Sequence, residues 1–556
     1  LIGVRWHIAL SLFAVCLPAI LPAADSSFTK HVKPILENRC VACHGCYDAP
    51  CQLKLESGQG LLRGASTLPV YDGGRTTAAS PTRLFMDAHS ESAWREKGFL
   101  SVLEGSEPDT SVLAQMLALG RKAQLPDNSK IPEHIALGIN RVNSCPSAEQ
   151  FSGYQSKHPQ EGMPLAVTGL SDKEFSTLEK WLAKGAPVSP DAVVLTKAER
   201  AAIQRWERLL NFSDARHHLV GRWLYEHLYL AHLYFSDLPE RGHFFELVRS
   251  RSAPGDPIQV IATLRANDAP GGPFWYRLRP VLGTLVHKSH ITFALNDAKL
   301  EKTEKLFFGD DWSAESIPSF SADQRANPFV TFAAIPAQAR YQFMLDDAEY
   351  FIRTFIRGPV CRGQIATAVI RDNFWVFFQD PEHDLFVADN KYRAQVEPLL
   401  GLPGQDDDLL ALGPEWLSYR GKRNDYLSLR DTAYAQAEPE GPRLDTFWHG
   451  DGHNTNAVLS VFRHHDNAAV RRGLIGEVPQ TIWLMDFPLL ERSYYHLAVN
   501  FDVFGNVSHQ AQTRFYFDLI RNGSEQNFLR LLPKNVRKEI LSDWYQGTGK
   551  LKLMLS

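Results

Sequence analysis

The sequence predicts a mainly α-helical protein with some β-structure, built as a smaller helical domain followed by a larger mixed α+β domain. Three observations support this prediction. Apolar residues recur at helical spacing ahead of residue 40 and again between residues 171 and 185. A stretch rich in proline and small residues, 187–198, is typical of a linker. Beyond it, helical patterns alternate with short β-branched and aromatic runs, and no internal repeat is evident.

The helical pattern of the first domain leads directly into a C-x-x-C-H motif, formed by Cys40, Cys43 and His44. Two thiols within one helical turn can reach the two vinyl groups of a single porphyrin, and the adjacent histidine can bind its iron. A chance match, a zinc site or a redox C-x-x-C is the alternative. The motif predicts one covalent haem c, attached through Cys40 and Cys43, with His44 as proximal iron ligand and catalytic residue. Residues 25–190 are therefore expected to form a cytochrome c-like haem domain.

Residues 1–24 are typical of a secretory signal peptide. A weakly basic start precedes an apolar run over residues 8–21, and Ala23 and Ala24 supply small residues for cleavage. An uncleaved N-terminal anchor is the alternative, and the flanks of Cys16 fit a lipoprotein signal poorly. Export agrees with the haem motif, because haem is attached to such motifs outside the bacterial cytoplasm. A periplasmic location is predicted.

The remaining cysteines could form disulfides in an oxidising compartment. They are Cys46, Cys51, Cys145 and Cys361. Cys46 and Cys51 would close a short loop and are the favoured pair, although spacing alone does not fix the connectivity.

Met163 is the predicted sixth ligand of the haem iron. It stands in a Met-Pro loop shortly before a helix that Ser171 and Glu174 open with a capping box. Many c-type cytochromes supply their axial methionine from such a loop. A gap-filling core methionine is the alternative role. His158 and His134 are the competing ligands.

Further elements follow from periodicity and turn residues. Helices are predicted over 111–119, 196–236 and 337–358, and from 482 to 532 with a break at Gly505. Strands are predicted over 258–264, 281–295 and 458–462. Residues 360–378 fit either a helix or a strand, and the stretches 57–82, 129–164 and 380–445 are predicted to be irregular.

Composition limits the partners. The net charge of −4 gives no electrostatic reason to expect nucleic acid binding. No glycine-rich dinucleotide fingerprint stands in a supporting context. After the signal segment no run of 18 apolar residues occurs, which makes any membrane contact peripheral.

Several segments of the chain resemble the bacterial fatty acid cis/trans isomerases. They are CHGCYDAPCQLKLES, LYEHLYLAHLYF, FIRGPVCRGQIATAVI, IWLMDFPLLERSYYHLAVNFDVFGNVSHQ and TRFYFDLIRNGSEQNFL. The likeness spans nearly the whole chain, and CYDAPC is far more specific than C-x-x-C-H alone. It implies a periplasmic haem c protein that converts cis double bonds of membrane phospholipid acyl chains to trans during membrane stress. Residues 191–556 would then be the family-specific isomerase domain, and whether its C-terminus is truncated stays open.

The resemblance also implies a mechanism. Transient loss of π density to the haem would leave a near-single bond that rotates and then recovers its electron. Because this involves no net redox change, neither nicotinamide nor flavin would be required. A His44–Met163 ligand pair raises the haem potential, as an electron acceptor requires. Because Met163 would fill the open iron position, either it dissociates or the acyl chain meets the porphyrin edge.

Two other functions compete with isomerisation. The chain could be a periplasmic c-type cytochrome that acts as an electron carrier or redox-enzyme subunit, or a haem-based sensor. The electron carrier ranks first if the resemblance is set aside. For the isomerase, the aromatic-rich stretches 221–235 and 274–276 are the predicted membrane entrance.

Overall fold

The computed structural model describes residues 27–545 with short gaps. The predicted signal segment 1–24 and Cys361 lie outside the described residues. The gaps are 47, 73, 108, 127, 136, 138–140, 190, 239–241, 360–368, 404–411, 451–454 and 464–467.

The first part of the chain forms short helices. A π-helical turn (Phe28–Val32) leads into α1 (Lys33–Arg39) and α2 (Val41–His44), and a 3-10 turn (Pro50–Gln52) follows. The other helices there are α3 (Gly58–Arg63), α4 (Glu91–Glu96), α5 (Val112–Lys122), α6 (Phe151–Lys157) and α7 (Asp172–Ala183).

The helices predicted before the haem motif, at 111–119 and after Ser171 are confirmed. The capping box at the start of α7 is present, with both reciprocal hydrogen bonds formed. The stretches predicted to be irregular hold two short helices, α3 and α6, so that prediction is wrong there. Two glycines mask α3 in the sequence, but Ser57 caps it and Leu61 is fully buried.

One apolar core joins the two ends of this first part. The ring of Phe28 lies 6.0 Å from that of Trp181 on α7. Arg39, at the end of α1, donates two 3.0 Å hydrogen bonds to the Glu174 carboxylate. This pairing lowers the pKa of Glu174. The start of α7 is therefore fixed beside the residue that precedes Cys40.

The second part is mixed. Its helices are α8 (Lys197–Leu210), α9 (Ala215–Leu228), α10 (Asp297–Phe308), α11 (Ala322–Arg325), α12 (Pro328–Thr331), α13 (Ala337–Asp346), α14 (Ala348–Arg357), α15 (Leu385–Ala388), α16 (Asn390–Val396), α17 (Leu412–Ala437), α18 (Phe487–Tyr494), α19 (Val507–Leu529) and α20 (Lys534–Trp544). 3-10 turns lie at Glu397–Leu399 and Leu444–Thr446, and a π-helical turn at Tyr495–Val499.

The strands form two sheets of four with the same topology. They are β1 (His232–Phe235), β2 (Phe245–Ser250), β3 (Trp275–Pro280), β4 (Thr292–Leu295), β5 (Asn373–Phe378), β6 (Val458–Arg463), β7 (Ala468–Arg472) and β8 (Thr481–Met485). The strand orders are β3-β2-β1-β4 and β7-β6-β5-β8. In each sheet the first three strands are antiparallel and the fourth is parallel to the first, with His232 opposite Thr292 and Phe374 opposite Thr481.

Sequence predictions for this part had mixed outcomes. The helices over 337–358, the strand at 458–462 and the break at Gly505 are confirmed. The helix predicted to residue 236 ends at Leu228, and residues 258–264 form no strand beyond one bridge at Val260. The strand predicted over 281–295 is confined to β4, and residues 481–485 form β8 instead of helix. The long helix α17 crosses the stretch predicted to be irregular.

A large apolar core fills the second part. It packs both sheets against α9, α14 and α18, and Trp223 and Trp483 are completely buried in it. A loop of this part, 281–290, reaches the first part. There the Thr284 amide donates to the Glu56 carbonyl at 2.9 Å, and the Thr284 hydroxyl donates to Glu37 at 2.6 Å. The two parts therefore meet next to the haem motif.

Candidate functional site

The C-x-x-C-H motif forms one helical turn, as its spacing predicts. The His44 amide donates to the Cys40 carbonyl at 3.0 Å, and the Cys40 amide donates back to α1 at Leu36. Cys40 and Cys43 are separate thiols, with Cys40 half-buried and Cys43 exposed. Both are therefore positioned on one short helix to react with the same ligand.

His44 is buried and oriented by the backbone. Its Nδ1 lies 2.9 Å from the Leu53 carbonyl oxygen, so Nδ1–H donates and Nε2 carries the lone pair. Burial lowers the pKa of His44, which keeps the imidazole neutral. A histidine that binds a metal commonly donates its second N–H to a carbonyl in this way. The orientation suits Nε2 as an iron ligand.

The alternatives to haem attachment find little support in the described residues. Burial, with a smaller contribution from Cys43, raises the pKa of Cys40 to about 12. A redox-active C-x-x-C relies instead on a lowered thiol pKa. Among the described side chains, no group of three or more His, Cys, Asp or Glu is arranged to hold a metal ion.

A cavity of about 1230 Å³ opens beside the motif. Cys40, Cys43, His44 and Met163 all line it, together with apolar side chains from α1 and α5. Ligand sites are commonly about 300–1,000 Å³, so the volume suffices for a large flat cofactor. The residues predicted from two separate sequence features, the C-x-x-C-H motif and the Met-Pro loop, thus share one cavity, and their donor set fits a covalently held haem.

Met163 is held against α5 by close backbone packing. Its amide donates to the Met116 carbonyl at 2.9 Å. A Cβ on Gly120 would lie 2.2 Å from the Met163 carbonyl oxygen, and one on Gly162 would lie 2.0 Å from the Gly120 nitrogen. Glycine at both positions lets the Met163 loop approach the helix this closely.

The competing histidines are outside this cavity. His158 pairs with Glu161 at 3.0 Å and stacks on Tyr154, and His134 pairs with Gln160 at 2.6 Å. Neither lines the cavity. Sequence reasoning missed Met116 on α5, which lines the cavity together with Met163. Its helical position after Val112 gave no ligand signal.

The favoured disulfide prediction is wrong. Cys51 is bonded to Cys145, with 5.7 Å between the Cα atoms, and not to Cys46. The chain turns at Ala49, whose amide donates to the Cys46 carbonyl, and the 3-10 turn at Pro50–Gln52 then carries Cys51 towards the segment that holds Cys145. Both bonded cysteines line the 1230 Å³ cavity.

A second cavity of about 550 Å³ adjoins the first. Cys46 and Ser289 line both, so the two cavities meet at these residues. The second cavity lies between the segment after His44 and the first sheet of the larger part. Its lining comes chiefly from β1, β2, the end of β3, and the segments 258–266, 281–285 and 501–504.

Two neutral histidines stand in the wall of the second cavity. The rings of His232 and His290 lie 4.6 Å apart, edge to face. Burial lowers the pKa of both, and the neighbouring His232 lowers that of His290 further. The Nδ1 atom of His290 lies 3.1 Å from both the amide nitrogen and the carbonyl oxygen of Val286, which fixes the ring in place. Neither ring was singled out from the sequence, because 58 residues separate them.

The predicted membrane entrance is wrong in its larger part. Residues 221–228 are all buried in the core, because α9 is covered on every side. Tyr276 is also buried, while Phe274 and Trp275 are half-buried. Exposed apolar side chains instead stand at the rim of the first cavity: Leu100, Leu137 and Val167.

No described helix is long and apolar enough to cross a membrane.

One comparison with known proteins gives a match. A family model described as fatty acid cis/trans isomerase matches residues 79–556. The matched region contains Met163 and most of the second cavity, and it begins after Cys40, Cys43 and His44. No curated protein matches, and no solved structure matches.

Proposed function

Because the chain belongs to the fatty acid cis/trans isomerase family and is a cis/trans isomerase, we propose that it acts on phospholipid acyl chains with one covalent haem c as cofactor. The observation that carries the cofactor is the shared cavity: Cys40, Cys43, His44 and Met163 all face the same 1230 Å³ space. Met163 was predicted from the sequence independently of the motif that contains the other three residues.

Each residue has a defined part in holding the haem. Cys40 and Cys43 would hold the haem through thioethers from one helical turn. His44 would bind iron through Nε2, because the Leu53 carbonyl engages Nδ1. Met163, presented by the loop that packs on Gly120, would be the sixth ligand.

Rotation about the double bond determines the activation barrier that the protein must lower. A turnover near ~10 s⁻¹ corresponds to a barrier of roughly 16 kcal/mol, far below that of an unassisted double bond. A haem held here would supply an acceptor for π electron density of the double bond, without net redox change. The apolar walls of the cavity exclude water from the reacting carbons, and no nicotinamide or flavin takes part.

The setting we propose is the periplasmic face of a membrane. Contact is peripheral and apolar, through the exposed rim formed by Leu100, Leu137 and Val167. Conversion of cis to trans chains straightens them and lowers membrane fluidity, which suits a response to solvent or heat stress.

The test uses the purified full chain and vesicles of a palmitoleoyl phospholipid. Acid-acetone should leave one haem on the protein, and Cys40→Ala with Cys43→Ala should release it. Isomerisation should proceed without any added electron donor or acceptor, and His44→Ala should abolish it. His158→Ala is the matched control, because His158 lies outside the cavity.

Two results would count against this function. Haem that stays covalently bound in the double cysteine variant would exclude attachment at this motif. A haem protein that reduces and reoxidises but never isomerises the lipid would be an electron carrier.

A further inference from the structure

The second cavity is adjacent to the first, so a substrate chain could reach the first cavity through it. The cavities share Cys46 and Ser289, and Cys46 is three residues beyond Cys43. Gly45, which precedes Cys46 and lines the second cavity, is packed too closely for a side chain, since a Cβ there would lie 2.8 Å from the Val41 carbonyl oxygen. The backbone after His44 therefore stands between the two cavities without a side chain at this position.

The lining of the second cavity is suited to hydrocarbon. Aliphatic and aromatic side chains from four segments face it, among them Leu247, Val260, Ile261, Leu282, Phe501 and Phe504. A flexible apolar chain gains about 0.8 kcal/mol for each methylene it buries in such a space.

Several charged groups in the wall have partners. Lys54 bonds to Glu56 at 2.6 Å, and Arg279 bonds to Glu246 at 2.5 Å. Two arginines of the lining reach outward instead: Arg83 bonds to Asp87 at 2.8 Å, and Arg249 donates to the Asp268 carbonyl at 2.7 Å.

The imidazoles of His232 and His290 are neutral, because burial lowers the pKa of each. Hydrocarbon can therefore lie against the paired groups and the neutral rings without stripping water from an isolated charge.

We propose that the second cavity binds the cis-unsaturated acyl chain of the substrate and presents its double bond to the first cavity past Ser289. The proposal rests on the isomerase function proposed above and adds the site of the substrate. The chain enters at Leu264, which lines the cavity yet is 45% exposed. Both an esterified chain and a free fatty acid have the chemistry that this site recognises.

The first experiment is calorimetric titration of the full protein with palmitoleate. Binding should weaken about fourfold for each methylene removed from the chain, as burial of hydrocarbon predicts. Val260→Trp, which fills the cavity from its wall, should weaken binding at least about tenfold. Val330→Trp is the matched control, because Val330 is half-exposed and lines neither cavity.

A second pair of variants tests the opening of the second cavity without replacing a fully buried side chain. Leu264→Glu places a charge at the opening and should weaken palmitoleate binding. Leu474→Glu is the control, since Leu474 is 53% exposed and lines neither cavity. Both leucines are exposed, so neither variant should lower the thermal unfolding temperature. Isomerisation in palmitoleoyl phospholipid vesicles should fall in the same order if the esterified chain uses the site.

Ser289→Trp tests the junction of the cavities. It should abolish isomerisation, because the indole would close the passage between the cavities; isomerisation at the unchanged rate would overturn the route past Ser289.

These outcomes distinguish the proposed acyl-chain site from the proposed haem cofactor. Palmitoleate affinity that is equal in Val260→Trp, Leu264→Glu and their controls would overturn the acyl site, even with haem and activity intact. Vesicle turnover that is unaffected while palmitoleate binding is lost would restrict the site to free fatty acids. Cavity-dependent binding by a protein without covalent haem would instead overturn the proposed cofactor and keep the acyl site.

Discussion

Replacing Gly120 with alanine should remove Met163 from its position in the haem cavity. The new Cβ would lie 2.2 Å from the Met163 carbonyl oxygen, whereas ordinary contacts begin at 3.4 Å, so the loop must retreat by about 1.2 Å. Metal–ligand distances tolerate only about 0.2 Å. The oxidised protein should therefore lose the weak near-infrared band of a sulfur-to-iron bond.

Stability should change little in this variant. Alanine gains about 1 kcal/mol of helix propensity over glycine, and overpacking costs about 1–3 kcal/mol. Gly153→Ala on α6 is the matched control, since a Cβ there meets nothing within 4 Å, and it should keep the band. A Gly120→Ala protein with the full band would refute the reasoning. Loss of the band in Met116→Ala but not in Met163→Ala would make Met116 the ligand.

Three further outcomes are expected. Burial lowers the pKa of His496 from 6.5 to about 4, so the unfolded chain takes up its proton first as the pH falls. Urea titrations should show stability that is fully present above pH 6.5 and falls by about 3 kcal/mol towards pH 4, and His496→Gln should remove that part of the dependence. Removing the disulfide through Cys51→Ala and Cys145→Ala should cost about 4–5 kcal/mol, because the bond spans 94 residues; an unchanged urea midpoint would contradict this. Vesicle flotation should persist in high salt and weaken in Leu100→Glu, at the cavity rim, but not in Val194→Glu, an exposed control; release by salt alone would contradict the apolar mode.

The parts of the fold that sequence predicted are those with local signals. The helix α7 begins at a capping box between Ser171 and Glu174, and an apolar stripe follows it, so its position needs no distant partner. The helix α17 lacks such a stripe. Contacts with other elements hold it in place. For example, Arg430 donates a 3.4 Å hydrogen bond to Asp486, the N-cap residue of α18. A helix that depends on tertiary contacts gives little periodicity to find.

The site divides in the same way. The spacing of Cys40, Cys43 and His44 is a property of one turn, and it placed them correctly relative to each other. The partner of Cys51 lies 94 residues away, and only the path of the folded chain selects it. Ser289, where the cavities meet, belongs to a loop of the larger part that reaches the first part of the chain. Neither the neighbouring residues nor the residue type of Ser289 indicates from sequence that it lines a cavity.

The matching order of the two sheets makes them two uses of one structural module. Each sheet ends in a strand followed at once by a capped helix, with Asn296 capping α10 and Asp486 capping α18. The strands of the first sheet line the second cavity, and those of the second sheet do not. Substitutions on the cavity side of the first module should therefore change the shape of that cavity, whereas the equivalent positions of the second module should affect only packing.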